Sequence, residues 1–309
     1  MSRDDRGASG APLALLAYLL WGLLTLYWKA VGGFNPVDLI GWRIVASAAV
    51  LGAVCALRGA LPAVAASLRD PRSLRLVAAT SLFLTVNWST YVWAVVEGHV
   101  VETALGYFIS PILTTIVGVV VLRERLSGAQ RTAVALAGAG LAVLTLAYGR
   151  APWIALAIAG SWCAYGYLKK RTPLAPLEGL AAEVAVLVLP ALALVAVRWG
   201  ATDGVPATAS TGEWILVLLA GLVTAGPLLL FGAASRRTPL TVLGPMQYVV
   251  PTVNFLIGWL GFGEEVTRAK FAGFGLIWAC LALVLAAFLR EQRAASAAQA
   301  AGSSPPPPA

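Results

Sequence analysis

Charged residues are scarce in this chain. They make up 12% of its 309 residues, whereas hydrophobic residues make up 59%. Soluble domains contain about 25% charged and about 45–50% apolar residues. A composition so poor in charge excludes an ordinary soluble enzyme or binding domain, and it indicates an integral membrane protein.

Histidine and cysteine are rarer still, and common catalytic motifs are absent from the sequence. The single histidine, His99, excludes a multi-histidine metal site. Cys55, Cys163 and Cys280 lie in apolar stretches without CxxC spacing, so we interpret them as small buried residues. The chain also lacks HExxH, a Walker A loop and an Asp-rich pair for a prenyl diphosphate. The sequence therefore predicts no enzyme, no metal site and no cofactor.

Long apolar runs are what the chain has in abundance. Ten of them are long enough to cross a hydrocarbon core of about 30 Å. They lie near residues 11–28, 37–57, 75–96, 101–122, 129–147, 151–168, 178–197, 213–234, 239–261 and 269–289. The connections are short and leave no room for a soluble domain. We predict an all-α membrane protein with ten transmembrane helices, which we call spans one to ten.

The net charge of +8 is distributed unevenly along the chain. With a cytoplasmic N-terminus, the outer side receives only Lys29, Arg150, Arg198, Arg268 and Lys270, and nearly all other Lys and Arg residues lie in inner connections. This asymmetry satisfies the positive-inside rule, so both termini are predicted to be cytoplasmic. The excess of Lys and Arg residues is thus explained by the orientation of the chain in the lipid bilayer, and it does not require a nucleic-acid partner.

The chain matches itself weakly when it is shifted by 140 residues. Pro36, Pro111 and Gly118 recur as Pro176, Pro251 and Gly258, and Arg43 corresponds to Glu183. Each half holds five spans, an odd number, so the second half must cross the membrane in the opposite sense. Inverted repeats of this kind are a known plan of secondary transporters, with the substrate near the midplane. Channels and membrane enzymes can also be duplicated, and these alternatives stay open.

The predicted organisation has four segments. Residues 1–10 are a disordered N-terminus, 11–148 the first repeat with spans one to five, 149–290 the second repeat with spans six to ten, and 291–309 a disordered Ala, Ser and Pro tail. Spans five and ten contain Ala and Gly runs with almost no polar side chains. Small residues permit close helix contact, so these spans are predicted outside the cavity, as scaffold or as a homodimer contact.

Arg43 is the first candidate functional residue, because a guanidinium within a span costs about 2.5–3.5 kcal/mol on insertion scales. It lies about two turns into span two, roughly 10 Å below the outer interface. Glu183 and Glu102 are candidate partners from other spans. Two interpretations follow. Either Arg43 and a carboxylate only lock helices together, or Arg43 faces a wet central cavity and attracts an anionic or electron-rich substrate.

Other polar and aromatic residues fall on shared helix faces, because residues three or four apart point the same way. Together with Arg43, Glu102 and Glu183, the predicted substrate-binding residues are Trp21, Trp28, Asn87, Tyr91, Trp93, Tyr107, Tyr165, Gln247 and Asn254. Aromatic stripes also arise from packing alone, which remains the alternative. Pro111 and Pro251 occupy matching places in spans four and nine, where each frees a backbone carbonyl. They predict kinked gating helices, with a packing kink as the alternative.

An ionisable cluster is predicted at the outer mouth, where Glu97, His99 and Glu102 are close in sequence. Loop histidines are usually just solvated. The sharper hypothesis is that these three groups and Glu183 change protonation during coupling to a proton gradient.

Residues 87–130, "NWSTYVWAVVEGHVVETALGYFISPILTTIVGVVVLRERLSGAQ", and "WRIVAS" at 42–47 support a family resemblance. The chain resembles the RarD subgroup, the chloramphenicol-sensitive proteins, of the EamA-type transporters in the drug/metabolite transporter superfamily. The resemblance covers nearly all of residues 11–290. It implies a ten-helix inverted-repeat permease of the bacterial plasma (inner) membrane, with spans one to four and six to nine around a cavity. Such proteins usually have Asn-Pro after "GYFI", whereas this chain has Ser110-Pro111.

The resemblance also implies which residues matter and what the protein does. It singles out Arg43, Asn87, Trp88, Trp93, His99, Glu102, Gly106, Tyr107, Phe108, Pro111, Gln247, Tyr248 and Pro251. The expected function is secondary transport of a small amphipathic metabolite or drug-like molecule by alternating access. The alternative is a non-transporting membrane scaffold or a channel.

Overall fold

The computed structural model describes residues 10–122, 152–169, 171–235 and 248–276, with isolated residues between 131 and 146 and between 278 and 286. These ranges are helical and contain no strand. The helices are α1 (Ala11–Ala30), α2 (Pro36–Leu57), α3 (Leu61–Arg69), α4 (Pro71–Val96), α5 (Val100–Leu122), α6 (Trp153–Lys169), α7 (Pro176–Arg198), α8 (Val205–Thr208), α9 (Thr211–Ser235) and α10 (Val249–Leu256). A π-helix, Ile257–Gly261, continues α10.

The long helices follow the predicted spans closely. α1, α2, α4, α5, α6, α7 and α9 match spans one to four and six to eight to within about one turn. α10 and the π-helix cover the second half of span nine, residues 239–247 lie outside the described residues, and spans five and ten are described only in part. Among the described residues, four helices are long and apolar enough to cross a membrane, namely Pro12–Ala30, Pro36–Leu57, Pro176–Arg198 and Thr211–Phe231. The number of ten spans and their inverted repeat stay predictions.

Sequence cues fix where the helices begin. Proline occupies the first turn of α1, α2, α4 and α7, where its missing N–H costs no helical hydrogen bond. The Asn35 side chain accepts from the Val37 N–H at 3.0 Å. Asp70 accepts from the Ser73 N–H at 2.8 Å. These side chains satisfy donors that have no acceptor within the helix, so α2 and α4 start at these residues.

The distribution of apolar and polar side chains is the reverse of that in a soluble protein. Large apolar residues such as Leu57, Leu189 and Val197 are 88%, 73% and 82% exposed. Glu183 and Asn254, by contrast, are fully buried. Exposed aliphatic side chains on this scale suit a hydrocarbon environment, and polar groups in such an environment turn toward the protein interior.

Close helix contacts hold the described core together. α2 packs against α7 and α9, α4 against α6 and α7, and α1 against α9 and α10. Gly221 of α9 touches the backbone of α2, since a Cβ there would overlap the Ala46 carbonyl. At Gly106 of α5, a Cβ would lie 2.9 Å from the Cβ of Ile158 in α6. Glycines thus allow these helices to approach more closely than larger residues permit.

The chain divides into two compact units by residue contacts. The first contains residues 1–114 and 152–265, and the second contains 115–151 and 266–309. Predicted spans five and ten belong to the second unit. The predicted repeat boundaries at 11–148 and 149–290 stay a prediction. The site described below lies within the first unit.

A carboxylate from the loop after α10 caps the start of α5. Glu264 accepts from the Val100 N–H at 2.6 Å through Oε1 and from the Val101 N–H at 2.8 Å through Oε2. A helix N-terminus has unpartnered N–H groups and favours negative charge. Burial raises the pKa of the Glu264 carboxyl, whereas the two N–H donors and the nearby His99 and Lys29 act to lower it. Glu264 therefore anchors α5 to a segment more than 160 residues away.

We expect Glu264→Ala to lower the free energy of unfolding by about 1–3 kcal/mol, because two N–H groups lose their acceptor. Glu264→Gln retains one acceptor oxygen and should lose less. The measurement is thermal unfolding of the purified protein in detergent. Glu97→Ala, which removes an exposed carboxylate, is the control, and an equal loss in that variant would contradict the capping role.

Candidate functional site

Arg43 is buried between three helices. Its side chain extends from α2, and the residue is 4% exposed. Its Nε donates to Thr224 Oγ1 of α9 at 3.2 Å. Its Cζ lies 4.9 Å from the ring centroid of Trp28 on α1 and 4.2 Å from that of Trp88 on α4. These distances are those of cation–π contacts, so aromatic faces supply much of the surroundings of the guanidinium.

No carboxylate neutralises Arg43 in the part of the chain that the structure describes. Its Nη1 is buried without a hydrogen-bond partner. Glu102, in the first turn of α5, is 2% exposed but forms no ion pair with Arg43. Glu183 pairs elsewhere. The alternative interpretation requires a carboxylate that pairs with Arg43 and locks helices together. No such carboxylate is found among the described residues.

A chain of side-chain hydrogen bonds lies beside Arg43. The Tyr91 hydroxyl and Thr25 Oγ1 are 2.8 Å apart, and Thr25 donates to Asn254 Oδ1 at 2.9 Å. Because the one hydroxyl hydrogen of Thr25 is used for Asn254, Tyr91 must donate to Thr25. The Nδ2 of Asn254 is buried and makes no hydrogen bond with any residue that the structure describes. This chain joins α4, α1 and α10.

Aromatic side chains complete the group. Trp28 lies one turn after Thr25 on α1, and its Nε1 is buried with no hydrogen-bond acceptor among the residues described. The rings of Tyr91 and Tyr107 meet edge to face at 5.9 Å, and both hydroxyls lie within electrostatic range of Arg43. We call this group the central cluster, and it consists of Thr25, Trp28, Arg43, Trp88, Tyr91, Tyr107, Thr224 and Asn254.

Glu183 forms a second, separate polar site. It accepts from Lys169 Nζ at 2.6 Å and from the Tyr165 hydroxyl at 3.1 Å. Lys169 and Tyr165 lie one turn apart on α6, so they reach the same carboxylate. Ser81 of α4 also donates to the backbone carbonyl of Glu183 at 3.1 Å. Arg43 and Glu183, which the predicted repeat places at equivalent positions, therefore have different partners.

A third polar network, which was not predicted from the sequence, lies at the other end of α7. Arg198 donates to both carboxylate oxygens of Asp38, at 2.9 and 3.2 Å, and to Asp203 at 2.9 Å. Asn35 donates to Asp203 at 3.1 Å, and the hydrogen bond from Arg198 lowers the pKa of the Asp203 carboxyl. Asp38 is 3% exposed in the first turn of α2. The sequence offered one signal for this network, the acid Asp38 at the start of predicted span two. Its partner Arg198 lies 160 residues further along the chain.

Asn87 connects two helices. Its Nδ2 donates to the Ile158 carbonyl at 3.0 Å and to Ser161 Oγ at 3.1 Å. Both acceptors belong to α6. The amide donors of Asn87 thus join α4 to α6, and its predicted contact with substrate stays a prediction.

Two predicted tryptophans pack against other rings outside the central cluster. Trp21 lies 5.7 Å from the ring of Tyr18 and 5.8 Å from that of Phe231. Trp93 lies 5.3 Å from the ring of Trp153 and 5.7 Å from that of His99. The observed contacts are aromatic packing, which was the stated alternative for such stripes.

The predicted gating and proton-coupling residues have varied surroundings. α5 is helical through Pro111, and Pro251 is buried in α10 shortly before the π-helix. Gln247 lies outside the described residues.

Glu97 is exposed at the end of α4, and His99 is partly buried. Gating and proton exchange stay predictions for these residues, for Glu102 and for Glu183.

Within the described ranges, no group of three or more His, Cys, Asp or Glu side chains could hold a metal ion. The proposed dimer contact lies in spans five and ten, which the structure describes only in part, and it stays a prediction.

Comparison with known proteins gives consistent matches along the chain. The model of the EamA-like transporter family matches residues 8–146. Protein RarD of Streptomyces exfoliatus is 42% identical over 296 residues, which cover 95% of this chain and 93% of that protein. An uncharacterized transporter of Pseudomonas aeruginosa is 40% identical over 277 residues, covering 89% and 92% of the two chains.

A solved structure shares the fold. A chain whose title reads only "Crystal structure of protein" superposes with a TM-score of 0.60 at 21% identity. The match covers 90% of this chain and 97% of the other. At this identity the likeness concerns the fold alone.

Proposed function

Because the chain belongs to the RarD group of the EamA-like transporter family, we propose that it is a secondary transporter working by alternating access. It moves a small amphipathic metabolite or drug-like molecule across the bacterial inner membrane. Several relatives are named as uncharacterized transporters, and the chain is a multi-pass membrane protein of the drug/metabolite transporter superfamily. In this proposal both termini are cytoplasmic, in agreement with the positive-inside rule.

The observation that supports this function most strongly is the environment of Arg43. A buried cation without a carboxylate is costly in a membrane, so such residues generally mark solute or ion pathways. A purely structural arginine would be expected to pair with an acid, as Arg198 pairs with Asp38. The aromatic faces of Trp28 and Trp88 beside the guanidinium suit a solute that has an apolar part.

The pattern of helix contacts supports the inverted-repeat part of the proposal. In the predicted repeat, α1 corresponds to α6, α2 corresponds to α7 and α4 corresponds to α9. The contact of α1 with α9 then becomes that of α6 with α4, and the contact of α2 with α9 becomes that of α7 with α4. Both members of each pair occur. Alternating access by rocking of one repeat against the other requires two halves that pack in equivalent ways.

Accessibility of an introduced thiol tests alternating access. Cys55, Cys163 and Cys280 are first replaced by alanine, and Thr224→Cys then places a thiol beside Arg43. We expect a membrane-impermeant thiol reagent to label it from outside in right-side-out vesicles and from inside in inverted vesicles. Leu189→Cys, on an exposed apolar surface, should remain unlabelled from both sides.

Three outcomes would point away from a carrier. Labelling of the Thr224→Cys protein from neither side would contradict an accessible central site. Solute flux in proteoliposomes that exceeds carrier turnover by orders of magnitude would favour a channel. The absence of any saturable flux would favour a scaffold.

A further inference from the structure

We infer that the central cluster binds the carboxylate of a monoanionic solute that also has a flat apolar group. This inference rests on the proposed function and specifies its substrate class. It starts from three buried donors that have no hydrogen-bond partner among the described residues, namely Trp28 Nε1, Arg43 Nη1 and Asn254 Nδ2. All three are donors, so the group that satisfies them must be rich in acceptors.

The three donors belong to residues that are linked by contact. The Arg43 Cζ lies 4.9 Å from the ring centroid of Trp28. Trp28 is one turn from Thr25, whose hydroxyl lies 2.9 Å from Asn254 Oδ1. Three helices, α1, α2 and α10, therefore place unsatisfied donors in one cluster. Leaving polar groups unsatisfied away from water is costly, so these residues favour a ligand that accepts their hydrogen bonds.

Charge favours a single negative charge on that ligand. Glu183 is neutralised by Lys169 and Asp38 by Arg198, whereas Arg43 has no ion pair among the described residues. The positive charge of Arg43 therefore favours an anionic group such as a carboxylate. A phosphate monoester, with a charge of about −1.5 to −2 at neutral pH, would leave excess negative charge in a low-dielectric site.

The geometry of a carboxylate also matches the donors. Its two oxygens offer about four lone-pair sites, enough for a guanidinium, an indole and an amide N–H together. Hydrogen bonds from such donors to an ionised group are about twice as strong as neutral ones. The rings of Trp28 and Trp88 lie against the guanidinium, and Tyr91, whose ring meets that of Tyr107, contacts Thr25. They provide the apolar area that would pack against a flat group on the solute.

Binding of matched probes to the purified full chain tests this inference. Indole-3-acetate is compared with indole-3-acetamide, which has the same shape without the charge, and with the cation tryptamine. Affinities are measured by calorimetry and by thermal shift. We expect the acetate to bind at least about tenfold more tightly than the acetamide and tryptamine to bind most weakly.

Variants of the cluster then assign the discrimination to its donors. Trp28→Phe retains a ring but loses the N–H, and should weaken acetate binding roughly tenfold. Arg43→Gln should remove the preference for acetate over acetamide. Asn254→Asp replaces a donor with a negative charge at nearly constant volume and should also abolish acetate binding. Trp199→Phe, which alters a half-exposed tryptophan outside the cluster, serves as the control and should bind as the parent protein does.

Several results would overturn the inference. They are equal affinity for acetate and acetamide, no acetate binding at millimolar concentration, or full discrimination in both Arg43→Gln and Asn254→Asp. Transport assays with the same probes separate this inference from the proposed function. Flux of neutral solutes without preference for carboxylates would reject the substrate class and leave transport intact. Acetate binding without flux of any solute would support the site and reject transport.

Discussion

Arg43→Gln should reduce transport by about a hundredfold or more while leaving the protein inserted and abundant. Removing a charge-assisted interaction with a buried ligand costs about 3 kcal/mol, which corresponds to a change of that size. The fold should tolerate the change, because no buried carboxylate loses its partner when the guanidinium is removed. Initial rates in proteoliposomes, together with the amount of folded protein in the membrane, provide the measurement.

Arg198→Gln is the matched control for this experiment. It removes a guanidinium that holds the buried carboxylate of Asp38. We therefore expect this variant to lower the melting temperature, in contrast to Arg43→Gln. If the Arg43 variant were degraded and the Arg198 variant were stable, Arg43 would be a helix-locking residue and not a solute-binding one.

Lys169→Met should reduce the free energy of unfolding by about 3–5 kcal/mol. The substitution leaves Glu183, whose side chain is 0% exposed, without its cation, and an uncompensated buried charge is strongly destabilising. The hydrogen bond from Tyr165 remains but does not neutralise the carboxylate. Chemical unfolding in mixed detergent micelles measures the loss.

A double variant makes this prediction specific. Lys169→Met combined with Glu183→Gln removes both charges and should recover most of the lost stability, since well-packed neutral groups often replace a buried ion pair without cost. Arg171→Met removes a cation from the same connection and should have little effect. Equal destabilisation of the single and double variants would show that Lys169 acts through packing alone.

The positions of the helices could be predicted from the sequence because their causes are local. Apolar runs of sufficient length give the spans, and residue pairs such as Asn35-Pro36 and Asp70-Pro71 mark where α2 and α4 begin. The helix α3 was not predicted. It has only nine residues, too few for a clear apolar periodicity, and it lies in the connection between spans two and three.

The partners of the polar residues could not be predicted, because they depend on tertiary contacts. The sequence indicates that Arg43 is unusual, but not that it faces Trp28 and Trp88 without a carboxylate. Glu183 was considered as its counterpart on the basis of repeat register, whereas the structure pairs it with Lys169 only 14 residues away. Unsatisfied donors such as Asn254 Nδ2 are visible only when the surrounding side chains are known.

The Glu264 cap constrains how this protein can move. The carboxylate fastens the first turn of α5 to the loop that follows α10, so those two segments travel together as one piece. Parting them would break two hydrogen bonds to an ion at the same moment. We therefore expect this corner to stay fixed in the proposed transport cycle, with the larger displacements at the far ends of the helices that meet there.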